Sequence, residues 1–303
     1  MPALDVPVLD VTGAGVLVTV GDLVEDVVVW SGGPARHATD NHAVVHRTRG
    51  GSAANVAAFA RAAVPALVPA RFIGCVGADP AGDMLCAELA GRGVDVRVQR
   101  RGRTGTIVVL VDGDGERTMY PDRGAAAELA GVPAAWLDGA AFLHVPSYGF
   151  AAEPAASAVL GLVSDAGEAG VPVSVDASSV GMICEYGVGR YLDLVDAIRP
   201  AVFFANAHEA RLLDVSRPQF AKTTVVVKDG ARPTTVLVPG EAVQTVPVPP
   251  APAARDSTGA GDAFAAGFLA ARMRGADPVA AAMAGHALAR SVLFSPGAAD
   301  RAR

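Results

Sequence analysis

Apolar and polar positions follow two rhythms along this chain, and the changes between them mark out its elements. Val16-Leu-Val-Thr-Val20 is a near-continuous apolar run, as expected of a strand buried on both faces of a parallel sheet, and Gly21-Asp22 ends it. Val27-Val-Val-Trp30 and Ala43-Val-Val45 enclose a polar stretch reaching about Asn41; they read as strands of a small antiparallel flap. Helical spacing then runs over 56–63 and stops at Pro65, before a strand over 68–76 and a helix over 82–91. Over 94–120 the pattern turns to alternation and hairpins. A strand at 104–111, a tight turn Asp112-Gly-Asp-Gly115 and a return over 116–120 place part of this stretch in the same flap, acting as a lid.

The remainder alternates strand and helix with a period of about 30 residues, the sign of βα units on a parallel sheet. Strands are expected at 141–145, 171–175, 202–205 and 224–228, helices at 153–169, 188–198 and 208–214, and a hairpin near 234–246. Open α/β sheets bind ligands in crevices beyond the C-terminal ends of their strands. Asp176, Asn206 and Lys228 stand at such ends.

Composition narrows the function. A chain of 303 residues can form one large α/β domain or two modest ones. Its net charge of −6 argues against a broad basic face for nucleic acid. No uninterrupted apolar run reaches the ~18 residues of a membrane span, and the N-terminus, with Asp5 and Asp10, lacks the basic start of a signal peptide. Cys75, Cys86 and Cys184 show neither metal-ligand nor redox spacing. Together these suggest reduced thiols in a cytoplasmic protein.

Candidate chemistry gathers in two glycine-bearing stretches. Asp256-Ser-Thr-Gly-Ala-Gly-Asp262 runs into Ala263-Phe-Ala-Ala-Gly-Phe268, so a glycine turn opens a buried helix. The first-turn amides of such a helix are unpaired and form an anion site, with phosphate the usual occupant. A carboxylate there repels the ligand and needs a reason of its own; for Asp262, taking a proton from an attacking hydroxyl supplies one. Earlier, Arg49-Gly-Gly-Ser-Ala-Ala-Asn55 opens a helix, with Gly50 and Gly51 permitting close backbone approach and Asn55 offering both donor and acceptor. No Walker A string occurs, and Phe264 occupies the third glycine's place of a dinucleotide motif.

The string Asp-Ser-Thr-Gly-Ala-Gly-Asp-Ala-Phe resembles the C-terminal signature of the ribokinase-like (PfkB) carbohydrate kinases, and Gly-Gly-x-x-x-Asn resembles their N-terminal one. The resemblance covers most of 16–300. It implies one ribokinase-like α/β domain over 1–303, with an open, mostly parallel sheet flanked by helices and a discontinuous β-sheet lid built from about 26–48 and 95–121. It implies ATP-dependent transfer of the γ-phosphoryl group to a hydroxyl of a small sugar. Asp262 would be the base, and the amides of Gly259, Ala260 and Gly261 would hold the migrating group. Asp26, Gly50, Gly51, Asn55 and Arg123 would meet the substrate. Asp176, Asn206, Lys228, Gly230, Thr258 and His286 would line the nucleotide's place. Asn206-Ala-His-Glu209 reads either as a helix cap or, by resemblance, as a string that arranges Mg²⁺, with Glu209 acting through water. Asp256 would lie near a monovalent cation such as K⁺. The residue after the glycine pair is Ser52 where ribokinases proper usually carry Lys, which sets ribose apart from the expected substrates.

Two alternatives stay open. A nucleoside kinase of the adenosine or pseudouridine type also suits Gly-Gly-Ser-x-x-Asn, with Trp30, Tyr148 and Phe150 offering an apolar wall for a base. A non-catalytic sugar or nucleotide sensor on the same fold is the alternative from another class. Short apolar lid strands leave edges to cover, so a homodimer through the lid is expected.

Overall fold

The computed structural model describes residues 15–31, 33–34, 36–62, 68–112, 117–250 and 258–293. Strands β1 (Val16–Val20), β2 (Val24–Ser31) and β3 (Ala43–Gly50) lead into helix α1 (Ser52–Ala62). Then come β4 (Ala70–Val76), α2 (Pro80–Gly91), β5 (Asp95–Arg100), β6 (Thr104–Val111), β7 (Arg117–Gly124) and β8 (Ala140–Pro146). The α/β alternation continues with α3 (Ala155–Glu168), β9 (Val173–Asp176), α4 (Val180–Tyr186), α5 (Val188–Ile198), β10 (Val202–Asn206) and α6 (Ala207–Leu213). Strands β11 (Thr224–Asp229), β12 (Arg232–Leu237) and β13 (Gln244–Val246) precede helices α7 (Ala260–Arg272) and α8 (Pro278–Val292).

Among the described residues the strands form a nine-stranded sheet, ordered β13-β12-β11-β10-β9-β8-β1-β4-β5, and a four-stranded one, ordered β3-β2-β6-β7. From β11 to β5 every neighbouring pair in the large sheet is parallel, and β12 and β13 close its end antiparallel. Successive side chains of a strand point to opposite faces. Leu17, Phe142, Phe204 and Val226 therefore face α1, α7 and α8, while Val18, Leu143, Phe203 and Val225 face α3, α5 and the helices beside them. Two cores on one sheet are why the strands read as unbroken apolar runs. Chain order reverses at β1, which has β4 on one side and β8 on the other, and crevices of open α/β sheets form at such reversals.

The small sheet corrects the expected lid in two ways. Its outer pairs, β2–β3 and β6–β7, are antiparallel, but its middle pair β2–β6 is parallel, because the whole of β4, α2 and β5 is threaded between them. Residues 95–100, expected in the lid from their alternation, instead form the edge strand of the large sheet, register-paired with β4. An edge strand exposed on one side alternates like a lid strand, so pattern alone does not separate them. Helix α4 was not anticipated; its Ser179 cap, accepting from the Met182 amide, is a local signal that could have found it. The expected turn at 113–115 lies outside the described residues. Cys75, Cys86 and Cys184 are free thiols. No helix among the described residues is long and apolar enough to cross a membrane.

Helix α7 packs against both α1 and α8, and much of its buried surface is Ala and Gly. A Cβ on Gly267 would stand 2.8 Å from the Ala284 carbonyl oxygen, and one on Gly285 would stand 2.9 Å from the Phe264 ring. Phe264 and Phe268 of α7 stack on each other and meet Phe204 of β10 edge-on, at ring centroid separations of 6.4 and 5.2 Å. Gly267→Ala should therefore cost about 1–3 kcal/mol, since a backbone carbonyl cannot rotate away as a side chain can. The fall in urea midpoint measures it, and an unchanged midpoint would show that the two helices separate freely.

Candidate active site

Three chain turns deliver the site. Gly51 adopts a φ of 99°, and a Cβ there would lie 2.1 Å from the Asp22 carbonyl oxygen, so glycine alone lets β3 turn into α1 under β1's end. Gly259, at φ 77°, caps α7 in the left-handed region. The first i→i−4 bond of α7 runs from the Ala263 amide to the Gly259 carbonyl at 2.8 Å, so the amides of 260–262 precede the helical ladder. Asn206 ends β10 and caps α6 from the third side.

These ends surround a cleft of about 230 Å³ lined by Ser52, Asp176, Ser178, Asn206, Glu209, Lys228, Gly230, Gly261 and Asp262. Asp176, Asn206 and Lys228 meet because their strands are adjacent: Phe204 registers with Asp176 and Asn206 with Lys228. Lys228 Nζ donates to Asp176 Oδ2 at 2.7 Å. Burial opposes the ammonium charge, yet the Asp176 carboxylate outweighs it and raises the Lys228 pKa. Asn206 and Glu209 form a complete capping box. The Asn206 side chain accepts from the His208 and Glu209 amides, and Glu209 Oε2 accepts from the Asn206 amide at 2.7 Å. Glu209 thus caps the helix and lines the cleft at once; burial, then Asp176, raise its pKa. Among the described residues no cluster of three His, Cys, Asp or Glu side chains stands ready to hold a metal. That still suits Mg²⁺, which takes one or two carboxylates and fills its other positions with water and phosphate oxygens.

Asp262, in the first turn of α7, is part-exposed at the cleft floor and joined to α1. Asn55 Nδ2 donates to its Oδ2 at 2.9 Å, and Ser52 gives a second hydrogen bond. Burial pushes its pKa up to about 6 against the Asn55 bond, with Asp176 adding to the rise and Lys228 opposing it. Asp26 lies beside it on β2, buried, its pKa raised to about 7 by burial despite Arg49, with Asp262 adding repulsion. Its Oδ1 has no hydrogen-bond partner among the described residues. Gly50 makes room for it, since a Cβ there would stand 2.0 Å from that oxygen. A buried carboxylate oxygen without a donor calls for a polar ligand.

Other expected residues sit differently. Arg123 grips Asp22 with two hydrogen bonds, at 2.8 and 2.7 Å, and only 18% of its side chain is exposed; the pair ties β7 of the lid to the end of β1. The sequence drew attention to Arg123 but not to Asp22, which had been read only as a strand end. His286 stands edge-on to Phe264 at 5.1 Å, outside the cleft lining. Phe150 is buried in the core facing α3, whereas Tyr148 lies close enough for the Asp262 charge to help raise its pKa, after burial. Thr258 precedes the Gly259 turn, and Asp256 lies outside the described residues. Reasoning from sequence missed Ser178, which bonds Asp176, and the Asp176–Lys228 pair, whose partners are 52 residues apart.

The profile of the pfkB family carbohydrate kinases matches residues 16–302. A fructokinase of Klebsiella pneumoniae is 33% identical over 215 residues, covering 66% of this chain and 69% of that protein. An ATP-dependent ribose-1-phosphate kinase of Halopiger xanaduensis is 34% identical over 238 residues, covering 73% and 72%. Among solved structures, the adenosine kinase of Sinorhizobium meliloti superposes with a TM-score of 0.83 at 21% identity, covering 96% of this chain and 97% of that one.

Both acids titrate above the ordinary Asp value of 3.8 when folded. The folded state therefore binds their protons more tightly than the unfolded chain. That contribution is complete below pH 3.8 and is lost as pH rises through about 6 for Asp262 and about 7 for Asp26. Asp262→Asn and Asp26→Asn should each melt higher than wild type at pH 8, with the gain disappearing near pH 4. An equal difference at both pH values would contradict the raised pKa values.

Proposed function

This chain belongs to the pfkB family of carbohydrate kinases, and on that premise we propose that it phosphorylates a primary hydroxyl of a small sugar at the Asp262 cleft. It is an ATP-dependent phosphotransferase with an alcohol acceptor, acting on a sugar or nucleoside. The observation that carries the finer reading is the meeting of the α1 and α7 N-terminal turns at one carboxylate, with the unpartnered Asp26 oxygen beside it.

In this reading Asp262 accepts the proton of the attacking hydroxyl. A pKa near 6 leaves it charged at neutral pH while keeping it a better base than an ordinary aspartate. The amides of Gly259, Ala260 and Gly261, which precede the first helical bond of α7, hold the anionic oxygens of the migrating group, and one such donor is commonly worth about 2.7–4 kcal/mol. General-base help contributes about 10²–10⁴-fold, so amides and base share the work. Asp26 and the Gly50–Gly51 turn orient the sugar. Lys228, Gly230 and Asn206 flank the nucleotide's phosphates across the cleft. Mg²⁺ would enter with the nucleotide and neutralise phosphate charge, with Glu209 and Asn206 the nearby residues suited to its hydration shell. The lid covers the acceptor and excludes water, a competing nucleophile.

A homodimer through the lid belongs to the same proposal. Val44, Val45, Leu110, Met119 and Tyr120 of the small sheet are exposed, and a second copy would cover them. Light scattering at assay concentrations should give twice the chain mass; a clean monomer would remove the dimer from the proposal.

Asp262→Asn should lower turnover by about 10²–10⁴-fold while nucleotide binding persists, because the amides remain. Retention of more than a tenth of wild-type turnover would take the base role from Asp262. A screen of neutral sugars, sugar phosphates and nucleosides with ATP, read by product mass, tests the substrate class; turnover of nucleosides alone would replace sugar by nucleoside.

A further inference from the structure

Arg49 is the largest wholly buried side chain in the described protein, and no substrate or nucleotide role accounts for it. It is the penultimate residue of the lid strand β3, just before the Gly50–Gly51 turn, and its side chain is wholly buried. Nη1 donates to Asn55 Oδ1 at 2.5 Å, and Nε lies 3.5 Å from Glu88 of α2. Asn55 in turn donates to Asp262. We infer that Arg49 is a positioning residue for the proton acceptor: it decides which way the Asn55 amide faces, and through it holds the Asp262 carboxylate in one orientation. The inference deepens the reading of Asp262 as base and rests on it.

The argument is one of donors and acceptors. The two ends of an Asn amide are nearly identical in shape and opposite in polarity, so only partners fix its direction. Arginine carries donors alone, so at 2.5 Å its Nη1 requires the amide oxygen. That leaves the NH₂ end for Asp262 Oδ2, at 2.9 Å. Reversal would set oxygen against carboxylate and NH₂ against guanidinium, two unfavourable contacts in a buried place. A lone Asn beside an aspartate could turn over. This one cannot.

Charge works in the same direction. Arg49 faces Asp262 from β3, Asn55 and Ser52 from α1, Asp26 from β2, Tyr148 from the turn Ser147–Phe150, Asp176 from β9 and Lys228 from β11. Asp26 and Asp176 favour protonation of Asp262, while Arg49 and Lys228 oppose it. Lys228 is bonded to Asp176, whereas Arg49 reaches Asp262 through Asn55. Arg49 also lowers the pKa of Asp26, against burial. One buried cation therefore serves both acids, and a lid strand is wired to the base.

The test reads the carboxylate itself, independent of turnover. Protein with carbon-13-labelled Asp side chains is titrated by NMR, with Asp262→Asn assigning the signal, in wild type, Arg49→Met and Arg49→Lys. Arg49→Met should raise the Asp262 midpoint by about 0.5–1 pH unit, and Arg49→Lys should recover more than half of that shift. The acid limb of kcat/KM for any accepted alcohol should move by the same amount, with kcat reduced at least about 10-fold and KM for ATP little changed. An unchanged midpoint in folded Arg49→Met, or equal shifts in Met and Lys variants, would overturn the inference. Should Arg49→Met not fold, Asn55→Ala cuts the same link and leaves the guanidinium beside Glu88; its Asp262 midpoint must also rise, or the inference fails. Undiminished transfer by Asp262→Asn would instead defeat the base assignment, and the midpoint would still say whether Arg49 sets that carboxylate.

Discussion

Two helices begin at one carboxylate, and the rest of the molecule makes that meeting possible. The positive ends of α1 and α7 are brought together by the Asn55–Asp262 bond, and α6 starts across the cleft. Helix starts offer unpaired amides to an anion. An acid placed among them sits where the partial charges welcome it, while burial disfavours its ionised form. The balance leaves Asp262 with a pKa of about 6. Such a poise requires close helix packing, and that explains the glycine and alanine lining of α7. Gly267 and Gly285 let α8 press α7 inward, and Ala263, Ala265 and Ala266 are buried without bulk.

Charge is arranged in pairs of unequal partners. Lys228 answers Asp176, Arg123 answers Asp22, and Arg49 serves Asn55, Glu88 and the two acids beyond. Buried ion pairs rarely add stability over apolar packing, but removing one partner strands the other at a cost of about 3–5 kcal/mol. Their value here is geometric. Each ties two strand ends that are not paired with each other: β9 to β11 across β10 through Asp176–Lys228, and β7 of the small sheet to the end of β1 through Asp22–Arg123. The small sheet is tied to the cleft at two points, through Arg123 on β7 to Asp22 and through Arg49 on β3 to Asn55, which bonds Asp262.

Much of this was readable in advance, and the reasons are local. The parallel core announced itself because strands buried on both faces leave no polar alternation, as in Val16–Val20 and Val202–Phe204. Gly259-Ala-Gly-Asp262 and Gly50-Gly51 marked close backbone approach because only glycine accepts the torsion at 51 and 259. Asn55, Asp176, Asn206, Lys228 and Asp262 were named from their place beside such turns or strand ends, whereas Asp26 and Glu209 were named from the family resemblance. The lid boundary at 95 failed because an edge strand and a lid strand carry the same pattern. Arg123 and His286 were named for ligand contact, and what chain order did not reveal is that they meet Asp22 and Phe264.

The sequence by itself determined the βα architecture and the two glycine turns, since each follows from residue periodicity or from a torsion that few residues adopt, and it set Asp262 three residues after the second turn's glycine. Tertiary structure alone decided which groups that acid would meet. Asn55 lies 207 residues from Asp262, and Lys228 lies 52 from Asp176. The protonation of a half-buried carboxylate depends on distances of a few ångströms to charges that chain order does not reveal. Arg49 is the clearest instance: in the string it is one more arginine before two glycines, and in the fold it is a buried cation whose five donors can face only oxygen.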